Sequence, residues 1–188
     1  MLDSIIKILA LNLKDNLPFN TSFGLVSTQL LEKNGKVQKL PKANNLDPMT
    51  CDLEPEKFVF PSDNYNSLTF FKENRTDLKE LFSGHFIEQR SNITLGCWYN
   101  SEKLDTTLSN FVSTLILNTL IKIQDDNNIK NIEIKYLGSN TKNPYDGFDM
   151  LEEKTQYLMF PYVYFSLNFE IKFIHTWECV YPINVIEC

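Results

Sequence analysis

Glycine is scarce in this 188-residue chain, which contains only six. Phosphate cradles of the GxxxxGK[ST] and GxGxxG kinds need several glycines in one turn so that backbone can close on an anion, and neither pattern occurs. Arginine is scarcer still. Arg75 and Arg90 are the only two, beside 16 lysines, in a chain of net charge −6. A protein that grips a phosphate backbone draws its affinity from clustered cations that displace counterions. No basic stripe is present, which excludes a tight nucleic-acid grip and leaves an acidic wall past which DNA slides.

Histidine is limited to His85 and His175. His175 shares parity with Phe173 and Trp177 and reads as a buried, hydrogen-bonded side chain; His85 follows Gly84 and reads as a surface residue. The four cysteines, at 51, 97, 179 and 188, have no CxxC spacing, so free thiols of a reducing cytoplasm are expected. The sequons at Asn20, Asn74 and Asn92 then follow from asparagine abundance. His175, Cys179 and Cys188 do not match the paired ligands of a structural zinc site. Cys97 alternates with Leu95 as an inert core thiol does, which argues against a nucleophilic pair with His85. No catalytic group, cofactor or metal is expected.

Long apolar runs are missing too. None approaches the ~18 residues of a membrane-spanning helix. The opening MLDSIIKILALNLKD is broken by Asp3, Lys7 and Asn12 and precedes no small-residue cleavage site, so it reads as a helix rather than a signal peptide. No membrane partner is expected.

Aromatic residues are plentiful, with 14 Phe, 8 Tyr and 2 Trp in a chain that is 43% hydrophobic. Each ring removes a large apolar area from water, enough together for one well-formed core. Twenty asparagines and the lysine excess suit an AT-rich genome.

Along the chain, Leu2, Ile5, Ile6, Leu9 and Leu13 recur at helical spacing, predicting an amphipathic helix from 2 to about 15 that ends near Pro18. Residues 23–32 and 36–40 flank Asn34-Gly35, a pair suited to a two-residue hairpin turn that needs positive φ. Pro41, Pro48, Pro55 and Pro61 punctuate an irregular excursion over 41–85. Within it we expect a short strand at Lys57–Phe60, a strand at Ser67–Lys72 and a helical turn at Thr76–Phe82. Residues 86–99 read as a long strand with Ile93, Leu95, Cys97 and Tyr99 on one face.

A central helix is predicted over 105–123, where Leu108, Phe111, Val112, Leu115, Ile116, Leu120 and Ile123 form a wide apolar stripe capped by Ser101 or Asp105. Ile132, Ile134 and Tyr136 then alternate with polar residues. The firmest pattern is last. Val163, Phe165, Leu167, Phe169, Ile171 and Phe173 alternate with Tyr162, Tyr164, Ser166, Asn168, Glu170 and Lys172, and a one-residue slip would expose every large side chain. The fold class is therefore α+β: a mostly antiparallel sheet packed by an N-terminal amphipathic helix and a central helix, with an irregular excursion. One domain spans 1–188, with 175–188 as a C-terminal extension.

Two groups of residues are candidates for function. Asp146, Asp149, Glu152 and Glu153 crowd one loop without the ligand rhythm of a calcium site. They read as a solvated acidic turn or as an acidic loop facing an aqueous pore. Trp98, Tyr162 and Tyr164 fall on the parity opposite the core, so either another chain or the 41–85 excursion must cover them.

The amphipathic helix ending in LNLKDNLPF, the hairpin at Asn34-Gly35, the 105–123 helix and the closing segment FPYVYFSLNFEIKFI together resemble the tail-completion or tail-terminator family of tailed bacteriophages. The resemblance covers 1–40 and 86–174 and lies in order and pattern; the long 41–85 excursion and the 175–188 tail depart from it. The AT-rich composition is similar to that of crAss-like phages. The resemblance implies a virion protein of the head–tail connector, assembled in the host cytoplasm. It implies a homo-oligomeric ring of six or twelve copies that meets portal, connector or tail proteins and passes DNA as non-specific cargo through its lumen. The acidic loop would then repel that DNA weakly, and the three aromatics would serve as interface. The alternative is a non-enzymatic adaptor that buries its aromatic face on one partner.

Overall fold

The computed structural model describes residues 2–16, 21–33, 35–43, 58–81, 86–104, 114, 118, 132–140, 143–150 and 152–176. One helix, α1 (Leu2–Asn16), precedes six strands: β1 (Ser22–Lys33), β2 (Lys36–Ala43), β3 (Ser67–Leu81), β4 (Phe86–Asn100), β5 (Ile132–Asn140) and β6 (Tyr162–Thr176). A short 3-10 helix, Glu152–Leu158, leads into β6. The strands form one sheet in the order β2-β1-β3-β4-β6-β5. None of the helices among the described residues is long and apolar enough to cross a membrane.

The predicted first helix and hairpin are present. β1 and β2 pair antiparallel from Val26↔Ala43 to Lys33↔Lys36, leaving a two-residue turn in which Gly35 holds φ at 71°. The long strands are present as well. β4 and β6 pair through fifteen successive residues, from Phe86↔Thr176 to Asn100↔Tyr162. Phe165, Leu167, Phe169, Ile171 and Phe173 of β6 are buried with Ile93, Leu95, Cys97 and Tyr99 of β4. Onto this face α1 lays Leu2, Ile5, Ile6, Leu9, Ala10 and Leu13. Burying each aliphatic side chain of this kind contributes roughly 1.5–3 kcal/mol, so this layer supplies much of the fold's stability.

Three expectations are corrected. Residues 41–85 are not one irregular excursion, because β2 continues through Pro41 to Ala43 and β3 occupies 67–81 in the middle of the sheet. Thr76–Phe82 was expected to turn as a helix, and as far as Leu81 it is strand. Its Leu, Lys and Glu residues are good helix formers, yet six successive pairings with β4, from Thr76↔Ser91 to Leu81↔Phe86, outweigh that local preference. At Lys57–Phe60, the described residues contribute a single bridge, Lys42↔Phe58, instead of a strand.

The sheet is mixed. β1 and β3 are parallel, with Leu25↔Phe71 and Val26↔Lys72 in register, while the other four pairings are antiparallel. The central helix predicted over 105–123 lies outside the described residues apart from Thr114 and Asn118, both helical. The 175–188 extension lies outside them beyond Thr176.

A second core occupies the opposite face of the sheet. Phe23, Val26, Leu40, Leu68, Phe70 and Trp98 are covered there by Val59 and Phe60, by Tyr145 and Phe148, and by Tyr157. Gly96 makes this close approach possible. A Cβ at that position would stand 2.8 Å from both the Phe70 ring and the Pro144 Cβ. Burial on both faces explains why Ser67–Phe71 and Leu95–Asn100 are buried without alternation.

Candidate interaction surfaces

The aromatic residues are positioned by β4, β6 and the segment between β5 and β6. Trp98 is fully buried, and its indole nitrogen donates to the Tyr157 carbonyl at 2.8 Å. The Tyr162 ring stacks on Trp98 at 5.1 Å with 20° between planes, and Tyr157 meets both rings edge-on. Tyr162 donates its hydroxyl to Asp63 at 3.3 Å; burial of the ring, reinforced by the Asp63 charge, raises its pKa. Tyr164 is partly buried against the same cluster. Trp98 is thus covered by the chain's own 58–65 and 143–162 segments, and the aromatic group expected as a contact face is for the most part a second core. Period 2 marked these residues as facing away from the first core, but alternation carries no information about what covers the far face.

The acidic loop is tied to the sheet by its backbone and by one of its carboxylates. The Lys39 amide donates to the Asp149 carboxylate at 2.7 Å, and the Asp149 amide donates to the Lys39 carbonyl at 2.8 Å. Nearby, the Val59 amide donates to the Pro41 carbonyl at 2.9 Å. These contacts occupy the outward backbone groups of edge strand β2, where an unpaired row would invite another strand. Asp146 is exposed, and its carbonyl accepts from the Lys72 ammonium at 2.8 Å. Partial burial lowers the Lys72 pKa, opposed by the Asp146 charge, while the ammonium sits 4.8 Å from the Phe148 ring centre. Glu152 and Glu153 begin the 3-10 helix. The loop thus brings Asp146 and Asp149 against cationic or backbone partners and is not a purely solvated acidic edge.

Below this loop lies a cleft of about 150 Å³ lined by Lys72, Asn74, Thr94, Asn143 and Asn168. Asn74 donates to the Thr94 hydroxyl, which donates to Asn168, each at 2.7 Å. Asn74, Thr94 and Asn168 thus engage one another across the floor of the cleft.

Farther along the same sheet face both arginines are engaged by carboxylates. Arg75 meets Asp77 at 2.8 Å and Arg90 meets Glu88 at 2.6 Å. Lys172 reaches Glu133 at 3.4 Å and Glu88 at 3.7 Å. The hydrogen bond from Arg90 holds the Glu88 carboxyl below the usual range against desolvation. Guanidinium forks already paired in this way are not available to seize phosphates.

No group of three or more metal-ligating side chains occurs among the described residues. Cys97 is buried, and burial pushes its thiol far above its ordinary value, which makes it inert. His85, Cys51, Cys179 and Cys188 lie outside the described residues, while His175 pairs through its backbone with Ile87.

Two apolar surfaces were not anticipated. The β1–β2 hairpin continues past Val26, its last pairing with β3, as a two-stranded arm exposing Leu30 (63%) and Val37 (61%) with the partly exposed Leu31. At the other end of the sheet, Met159 (68%) and Phe160 (85%) form an exposed apex just before β6. Neither has a sequence signature, because single apolar residues in polar segments look like ordinary loop or strand positions. No protein-family model matches this chain, and no curated protein matches it significantly.

Proposed function

We propose that this chain is a virion structural protein that forms an oligomeric ring in a phage head–tail connector or tail. The observation that carries this reading is the placement of two exposed apolar surfaces, the hairpin arm and the Met159–Phe160 apex, at opposite ends of one two-cored sheet. A molecule with distinct adhesive ends associates head to tail, and such contacts close into a ring when the rotation per subunit permits. The order of helix, hairpin and long strands, which resembles the tail-completion family, supports the same reading. So does the net charge of −6, which suits a channel that DNA must pass without sticking.

In this reading six or twelve copies join around an axis, portal, connector or tail proteins meet the ring above and below, and DNA is cargo. The acidic residues Asp146, Asp149, Glu152 and Glu153 belong to the lumen, with Asp146 the better placed of the two described side chains, since Asp149 is held by β2. No cofactor or catalytic group is required.

Negative-stain electron microscopy of the purified protein tests the proposal. Closed rings of uniform size are the expected result. Single particles that dock singly onto one partner would favour the adaptor alternative instead.

A further inference from the structure

The arm and the apex differ in charge as well as position. Residues 27–42 of the hairpin carry Lys33, Lys36, Lys39 and Lys42 against Glu32 alone, a net charge of +3. With a total of −6, the rest of the chain therefore carries −9. The arm is a basic projection on an acidic body. Beyond Val26↔Lys72, β1 pairs only with β2 among the described residues, and β2 is tied at Lys39 to Asp149, at Pro41 to Val59 and at Lys42 to Phe58. The tip beyond the Leu30↔Lys39 pair, three residues of β1 or roughly 10 Å, projects past these ties. An isolated two-stranded ribbon is marginally stable in water, so an arm with exposed Leu30, Leu31 and Val37 gains from a surface to lie on.

The apex offers the complementary character. Met159 and Phe160 stand exposed beside Tyr162, and two carboxylates, Asp63 and Glu102, lie close enough to raise the pKa of the Tyr162 hydroxyl. Both acids are exposed. Two lysines stand nearby: Lys154, turned onto the Tyr157 ring at 5.5 Å, and the exposed Lys103 next to Glu102.

The two surfaces cannot meet within one chain. β1 starts beside Thr69 and runs parallel to β3, so the arm leaves toward the Phe86 end of the sheet. Met159 and Phe160 precede Tyr162, which pairs with Asn100 at the opposite end. We infer that the hairpin arm of one copy docks on the Met159–Phe160 apex of a second copy, leucines against the exposed rings and lysines against Asp63 and Glu102. This rests on the ring reading for its closure, but the contact stands or falls by itself.

Sedimentation velocity on the full chain tests it with two charge-reversed variants. One carries Lys33→Glu and Lys36→Glu; the other carries Asp63→Lys and Glu102→Lys. Wild type should self-associate, more weakly as salt rises, and each variant should lose about tenfold or more in association constant. Mixed together, the two should grow as alternating oligomers, because the wild-type arm then meets the wild-type apex and the reversed arm meets the reversed apex. Both reversals in one chain should restore growth. Phe160→Ser, at a side chain too exposed to affect folding, should weaken association as well, and unchanged melting temperatures guard against unfolding.

Closed oligomers that persist in the arm variant would overturn the arm–apex contact and leave the ring reading standing. Arm-dependent association into open filaments would uphold the contact and remove the ring. A wild-type chain that stays monomeric at every concentration and salt level would overturn the contact itself.

Discussion

The Trp98 indole nitrogen donates to the Tyr157 carbonyl at 2.8 Å, closing the 3-10 segment over a side chain that is fully buried. The bond joins β4 to the linker before β6 and makes the second face of the sheet a core rather than a surface. Trp98→Phe removes the donor and leaves a buried carbonyl unpaired, which costs about 1–3 kcal/mol. Trp98→Ala adds a cavity and costs about 3–5 kcal/mol. Urea unfolding monitored by circular dichroism measures both. A Trp98→Ala variant as stable as wild type would return this residue to the surface.

Gly96 admits no side chain without movement. Its Cβ would sit 2.8 Å from the Phe70 ring and from the Pro144 Cβ, one contact on each of two packed elements. Gly96→Ala should destabilise by about 1–3 kcal/mol through overpacking. Gly24, whose Cβ would meet nothing within 4 Å, is the control: Gly24→Ala should change the midpoint of the same denaturation curve far less.

The carboxylate of Asp149 caps the Lys39 amide on edge strand β2. Asp149→Asn keeps an acceptor oxygen and should leave stability within about 0.5 kcal/mol. Asp149→Ala should cost about 1–2 kcal/mol and raise hydrogen exchange at Lys39. Equal Lys39 exchange rates in the two variants would contradict the cap.

Phe165 lies in the α1-covered core on β6. Phe165→Asp inserts an unpaired carboxylate there and should unfold the chain, at a cost above about 4 kcal/mol. Near-native melting of that variant would remove the β6 register on which the fold description depends.

Much of the sheet was legible in the sequence because half-buried strands advertise themselves by period 2. β6 shows it over eleven residues and β4 through Ile93, Leu95, Cys97 and Tyr99. β3 was legible in its first half, expected as a strand at Ser67–Lys72 and present, but not in its second, because residues 73–80 are exposed on both faces and carry no alternation. The parallel β1–β3 pairing was not legible either, since prolines at 41, 48, 55 and 61 mark a wandering chain without saying where it returns. The candidate surfaces were read least well. Trp98 was assigned to a face by parity, correctly, but the residues that cover it come from distant loops. The arm and apex depend on where pairing stops, which sequence does not record.

Cys97 provides a pH test. Its folded-state value is raised by burial above the ordinary 9.0, so the native state keeps a proton that the unfolded chain releases. The resulting stability is complete below about pH 9 and declines as pH rises further. Tyr145, raised by burial as well, adds a loss of the same sign at higher pH. Lys72 is lowered and acts oppositely, its penalty easing as pH climbs toward 10.5. Cys97→Ala should flatten the alkaline decline near pH 9 in a series of denaturant titrations. At pH 8 in the wild-type protein, Cys97 itself should take up iodoacetamide only after denaturant is added, as peptide mapping would show.

Native mass spectrometry across a wide range of protein concentration tests the assembly claim most directly. The ring account predicts one closed species of six or twelve chains, with no intermediates that keep growing as concentration increases. A monomer at every concentration, or a chain that carries a stoichiometric small ligand in place of its own copies, would contradict it.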